Sequence, residues 1–278
     1  MITGLYSAAS GMIVQEKVQD QIAQNLAGCQ MPGFRREEVV IRSFPDVMLN
    51  ETYRGIPKSL EKARYNHAIG RVGTGAGVDW SYIDHSPGQT LYTDNPSDMA
   101  INGDGFFTVL TPDGLRYTRA GDFVVDKDGY LKTHQGYFVM GQGINNQRNP
   151  TTIYVGNNDF YVDPYGQVFR REKDMTLPAA QRVTREVLID QLKITDFEDK
   201  DKLFREPGNY FRCEEDDRDN MKVPAYYRVE QGYIEKANCF PTTEMVKMID
   251  SYRVYEASAR VLKALDGTLQ KAVNEVAR

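Results

Sequence analysis

The sequence is poor in the residues from which most active sites are built. Its 278 residues hold three histidines, three cysteines and a single tryptophan. His67, His85 and His134 stand apart, with no HxxxH or HxH spacing to bring two imidazoles to one metal. Cys29, Cys213 and Cys239 are odd in number and far apart, and no two form a CxxC pair. They predict neither a disulfide framework nor a metal site, and they read as small apolar residues. No apolar run approaches the ~18 to 20 residues that span a bilayer, so no membrane insertion is expected. Met1 to Glu16 contains no Lys or Arg, and Ser, Gly and Thr interrupt its apolar residues, unlike a cleavable secretory signal. The expectation is a cytoplasmic protein, or one exported without a cleaved signal peptide. Excess positive charge is missing too. Lys and Arg number 34 against 39 Asp and Glu, a net charge of −5, which disfavours a nucleic-acid partner.

Catalytic signatures are equally scarce. No GxSxG elbow is present. Gly70-Arg-Val-Gly-Thr-Gly-Ala-Gly77 is Gly-rich but lacks the Lys-Ser/Thr of a P-loop and the GxGxxG register, and reads as a flexible entry to a β region. Asp126-Lys-Asp-Gly129 opens like a calcium loop, but the later oxygen positions and the closing Glu do not follow, so it predicts a tight turn. No catalytic, cofactor-binding or metal-binding residue is assigned, no cofactor is expected, and the chain is read as a non-enzyme.

What is present is a β-rich middle between helical ends. Hydrophobic residues at 41% and charged residues at 26% suffice for a core. Leu5, Ala8, Met12, Gln15, Gln19, Ile22 and Leu26 follow a 3-4 spacing that predicts a helix over the first 28 residues, capped by Thr3 and stopped by Gly28 and Pro32-Gly33. A second helix is predicted after Pro241, with Thr242 as N-cap and Glu244 in the first turn. Its stripe is Met245, Met248, Tyr252, Tyr255, Ala259, Leu262, Asp266, Leu269, Val273 and Val276, widened by Val246, Ile249, Val254, Val261 and Leu265. A break or frayed last turn is expected at Gly267. Such a stripe needs a partner, either the other terminal helix or helices of neighbouring copies.

Between the ends, short β-branched and aromatic segments such as Gly105 to Leu110, Phe123 to Val125, Gly136 to Met140 and Thr152 to Val155 alternate with turn residues. Leu188 to Phe197 reads as one further strand, Glu214 to Asp219 as an acidic solvated loop, and Leu60 to Tyr65 as a short helix. The fold class is α+β. Residues 1–30 and 242–278 are expected as helical ends, 31–75 and 225–241 as connectors, and 76–224 as an antiparallel β-rich domain.

Several of these segments resemble the flagellar rod and hook family of axial proteins. Leu5-Tyr-Ser-Ala-Ala-Ser-Gly-Met12 is similar to the family's opening helix. Gln24-Asn-Leu-Ala27 and Pro32-Gly-Phe-Arg35 follow the pattern Asn-Asn-Leu-Ala-Asn, two residues, then Thr-x-Gly-Phe/Tyr-Lys/Arg. They depart from it at Gln24, Gly28 and Met31. Asp98-Met-Ala-Ile-Asn-Gly-Asp-Gly-Phe-Phe107, Tyr117-Thr-Arg-Ala-Gly-Asp-Phe123 and Asp126 to Leu131 resemble the family's internal motifs in order. Val229 to Glu235, Thr243-Glu-Met-Val246 and Tyr252-Arg-Val-Tyr-Glu-Ala257 resemble its closing part, while residues 140–224 carry little of the match.

The resemblance implies an axial core made from both termini, a connector and an outer β domain. It also implies a structural subunit of the basal-body rod, a tubular drive shaft transmitting torque, exported through the flagellar type III apparatus. Partners would be copies of itself and other rod and hook axial proteins. Termini of this family fold on assembly, which favours neighbouring subunits as helix partners. The expected assembly interface is Leu5, Met12, Ile22, Leu26, Met245, Met248, Tyr252, Tyr255, Leu262 and Leu269. Arg42 to Leu49 resembles proximal-rod subunits and Gln231 to Glu235 distal-rod ones; the proximal rod is the preferred position. The alternatives are a hook-type axial subunit, or a non-flagellar binding module or scaffold with a β head on a helical stalk.

Overall fold

The computed structural model describes residues 2–50, 68–143, 151–156, 160–173, 184–213 and 220–276. The expected helix over 60–65 and the acidic loop at 214–219 lie outside the described residues. The chain divides into two compact units. One comprises residues 1–25, 37–82 and 241–278, the other residues 26–36 and 83–240.

The first unit holds most of α1 (Ile2–Gly28) and all of α2 (Pro241–Val276). α2 starts at Pro241 itself, one residue before the expected cap, because proline has no N–H to lose at the first helical position and its φ suits a helix. It then runs for 36 residues straight through Gly267, so the expected break is absent. The helices pack antiparallel: a Cβ on Gly4 would lie 3.5 Å from Leu265 Cδ1, and one on Gly11 3.6 Å from Ser258 Oγ. The Ser251 hydroxyl donates to Gln15 Oε1 at 2.8 Å, deeper in the same seam.

Two antiparallel ribbons complete this unit. Glu37–Ser43 pairs with Ala76–Ile83, and Val47–Asn50 pairs with Ala68–Val72. The Gly-rich stretch therefore lies at the meeting of two strands. Asn25 holds the first ribbon as a strand neighbour would, donating from Nδ2 to the Glu37 carbonyl at 2.7 Å and accepting from the Glu37 N–H at 3.0 Å.

The second unit is an antiparallel β body. Its ten-stranded sheet runs, along its main path, Phe204–Glu206, Tyr210–Arg212, Gly114–Thr118, Phe106–Thr111, Phe138–Gly141, Leu131–Thr133 and Phe123–Val125. The segment expected as one strand from Leu188 is two. Thr184–Gln191 pairs with Gln167–Lys173, whereas Ile194–Phe197 pairs with Phe106–Thr111. The break at Leu192–Lys193 lets the chain change sheets.

Because successive side chains of a strand point to opposite faces, Phe106 and Phe107 enter different cores. Phe107 meets Phe123 at 5.1 Å within the larger cluster around Met99, Val109, Leu131 and Leu192. Phe106 faces Phe197 and Phe211 at 5.9 and 5.5 Å in the smaller one. A sheet covered on both faces explains why these adjacent phenylalanines are both buried.

Candidate assembly interface

Two places are distinct: the helix pair of the first unit, and the contact between residues 26–36 and the segment before α2 within the second. In the helix pair, burial follows the seam. Ile22 is buried; Leu5, Met12, Met248, Tyr255, Leu262 and Leu269 are half-buried. On α2 the covered row is Glu244, Met248, Ser251, Tyr255, Ser258, Leu262, Leu265 and Leu269, shifted by one position from the expected stripe at Tyr252 and Asp266. Met248, Tyr255, Leu262, Leu265 and Leu269 of this row belong to the expected apolar set. An apolar count passes over Ser251, which bonds to Gln15 across the seam, and Ser258, which donates to Val254 of its own helix and allows close approach at Gly11.

The residues displaced from the seam stay outside. Met245, Ile249 and Tyr252 occupy i, i+4 and i+7 and are 51%, 52% and 58% exposed. Val246 and, on the other flank, Val254 and Val261 are exposed too. These side chains leave a large apolar face on a helix that is already paired. Next to α1, an open apolar groove of about 530 Å³ is lined by Tyr6, Ile13 and Val14 of the helix and by Phe44, Ala76 and Val78 of the ribbon. Leu26, at the end of α1, is half-buried and belongs to the other unit.

In the β body, residues 26–36 lie against residues 232–240. The Gly33 N–H donates to the Glu235 carbonyl at 2.7 Å, and the Asn238 N–H donates to the Phe34 carbonyl at 3.2 Å. Gly33 has φ +63°, and a Cβ there would sit 2.3 Å from the Arg119 carbonyl carbon. Only glycine fits both demands. At the centre Glu235 accepts from Arg35 Nη2 at 2.7 Å, from Arg119 Nη1 at 3.4 Å and from the Gly88 N–H at 2.9 Å. Arg119 also donates to the carbonyls of Ile101 and Gly103 at 3.0 and 2.7 Å.

All three charged residues are almost fully buried. Burial pulls the Arg119 pKa down to about 10 and also lowers that of Arg35, while Glu235 opposes both shifts. The Arg205 guanidinium stacks on Phe34 at 4.5 Å. Asn209 Nδ2 donates to the Pro32 carbonyl at 2.8 Å. A disulfide joins Cys29 to Cys239. This overturns the reading of both as plain apolar residues: 210 positions apart in sequence, their Cα atoms lie 5.5 Å apart in the fold. Cys213, half-buried, takes no part in this bond. Among the described residues no group of three or more His, Cys, Asp or Glu is placed to hold a metal ion.

Arg35, Arg119 and Glu235 come from three motifs far apart in sequence. That convergence agrees with the comparisons. Residues 100–191 match the flagellar hook protein FlgE/F/G D1 domain, and residues 230–275 match the C-terminal domain of flagellar basal body rod FlgEFG proteins. The chain is 30% identical over 271 residues to the flagellar basal-body rod protein FlgG of Agrobacterium fabrum, covering 93% of this chain and 94% of the relative. The chain belongs to the flagellar basal-body rod family. It is also 28% identical to FlgG of Buchnera aphidicola subsp. Baizongia pistaciae, over 98% of both chains, and 26% identical to the hook-basal body complex protein FlhO of Bacillus subtilis over the full length of both. The protein is thus a structural subunit of the flagellar basal-body rod. No helix among its described residues is long and apolar enough to cross a membrane.

The sequence did hold a signal for the buried cluster. Arg35 ends one family motif and Glu235 ends another, with opposite charges. Read singly, each passes for a solvated charge.

Proposed function

We propose that this rod subunit polymerises through the apolar flank of its helix pair into a tubular shaft that transmits torque, with copies of itself and other axial proteins as neighbours. The observation that carries this reading is the exposed Met245–Ile249–Tyr252 row, on the flank of α2 beside the side that α1 covers. Contacts of one patch with a different patch on the next copy build a helical tube when the rotation between copies does not close into a ring. The groove beside Tyr6 and Phe44 is the second patch we assign.

We assign the axial role to residues 1–30 and 242–278, the connector role to 31–75 and 225–241, and the outer role to 76–224. The residues named for assembly then divide. Met245 and Tyr252 face neighbours, whereas Ile22, Met248, Tyr255 and Leu262 hold the helix pair in shape. Export through the flagellar type III apparatus is our reading from the likeness to the rod family. The FlgG-named relatives favour a distal-rod position over the proximal one suggested by Arg42 to Leu49.

The test is Tyr252→Asp. The purified variant should keep its circular dichroism and melting temperature, because Tyr252 is exposed, while cells carrying it lose rods and motility. Normal rods in the variant would overturn the assignment of this flank.

A further inference from the structure

The disulfide lies at a telling place. Cys29 follows α1 by one residue, and Cys239 precedes α2 by two. The bond therefore fastens together the two strands of chain that lead to the two helices. The same two segments are already held by Gly33 to Glu235, by Asn238 to Phe34 and by the Arg35–Glu235 pair. Contacts of that kind form without any oxidant and bring the two sulfurs within reach. The bond closes a loop spanning a sequence separation of 210, which contains nearly all of the β body. A chain passed as an unfolded thread cannot carry such a loop closed.

We propose that Cys29 and Cys239 are a redox latch: thiols before export, and a disulfide once the β body has folded in an oxidising compartment. This rests on the reading of the protein as an exported rod subunit. The oxidant is a disulfide-bearing species, either a thiol–disulfide oxidoreductase or a small disulfide. Cys29, half-buried where Cys239 is buried, is the accessible sulfur. Its thiolate attacks the oxidant's disulfide and expels one thiolate, which takes up a proton. The Cys239 thiolate then attacks Cys29 Sγ and breaks the mixed disulfide, and the second leaving thiolate takes up the other proton. Two protein thiols are oxidised by two electrons, and one disulfide is reduced to two thiols.

The latch is tested by trapping thiols in acid and alkylating them under denaturing conditions, then counting labels by mass spectrometry. Intact basal bodies and the cytoplasmic pool of the same cells are compared. One label per chain, on Cys213, is expected from basal bodies and three from the cytoplasm. Three labels in basal bodies would overturn the latch while leaving the rod assignment intact. Absence of the protein from basal bodies would overturn the rod assignment instead, and with it the latch. With the purified chain, oxidation should raise the melting temperature by at least about 5 °C over the reduced form. The Cys29→Ser/Cys239→Ser variant should melt like the reduced protein whether or not reductant is present. Equal melting of oxidised and reduced wild type would refute a stabilising closure.

Discussion

Glu235→Gln is the sharpest test of how the β body is held at its chain crossings. The substitution keeps size and shape but deletes the one carboxylate in contact with both Arg35 and Arg119. These guanidinium groups are 1% and 5% exposed, so water cannot replace the lost partner. Breaking a buried ion pair from one side costs about 3 to 5 kcal/mol, because the charge left behind has been desolvated without compensation. For a small protein with a urea m-value near ~2 kcal/mol/M, that shifts the unfolding midpoint down by roughly 1.5 to 2.5 M. Equilibrium urea unfolding of the oxidised full chain at pH 7, followed by near-UV circular dichroism, measures it. Arg35→Met combined with Glu235→Gln should recover part of the loss, since one stranded cation is then gone. A shift below about 0.5 M would refute the reasoning. It would mean that more distant carboxylates, Asp84 near Arg35 and Asp104 near Arg119, neutralise the cluster without Glu235.

Three further outcomes are expected. His85 is held neutral, its pKa pushed down to about 4 chiefly by burial and then by the Arg35 charge. The unfolded chain therefore takes up this proton first as pH falls. Stability is fully present above pH 6.5 and is lost between about 6.5 and 4, by about 3 kcal/mol for this group. His85→Phe should flatten that part of the pH–stability curve, and an unchanged slope would count against it. Gly121→Ala would put a Cβ 1.6 Å from the Met99 carbonyl oxygen, so no soluble folded β body should be recovered; a native-like spectrum would refute that contact. In native-state hydrogen exchange of the purified chain, amides of α1 and α2 should exchange at least tenfold faster than those of Phe106 to Leu110, which sit in a sheet covered on both faces. Equal protection would show the helix pair to be as stable as the β body.

What could be read from the sequence was what repeats locally. The apolar spacing after Pro241 marked α2, and the β-branched and aromatic run Gly105-Phe-Phe-Thr-Val-Leu110 between turn residues marked the central strand. Alternate members of the helix face came out one residue off, Ser251 for Tyr252 and Leu265 for Asp266, because periodicity counts apolar side chains while the seam uses Ser251 for its bond to Gln15 and Ser258 for its smallness. Exposed Tyr252 and Ile249 are apolar for a different purpose. Leu188 to Phe197 looked continuous because nothing in its composition marks a change of sheet at Leu192. The Cys29–Cys239 bond could not be paired from an odd count at such separation. The Arg35–Glu235–Arg119 cluster stayed hidden for the same reason: proximity across the chain is a product of the fold, and no local pattern encodes it.

The two units are stabilised by different means, and the difference matches their proposed roles. The β body has two hydrophobic cores, the smaller of them mainly aromatic, a buried ion cluster and a covalent closure, all formed within one chain. In the helix pair the seam is thinned at Gly4, Gly11, Ser251 and Ser258, and its large members Met248, Tyr255, Leu262 and Leu269 are only half-buried. Ordering each residue costs roughly 1 to 2 kcal/mol of entropy, and apolar area returns only ~25 cal/mol per Å² removed from water, so half-covered side chains offset less of that cost than the fully buried ones of the β body. The exposed row at Met245, Ile249 and Tyr252 is apolar area still in water, and covering it with a neighbouring subunit, as we propose, supplies the remaining stabilisation.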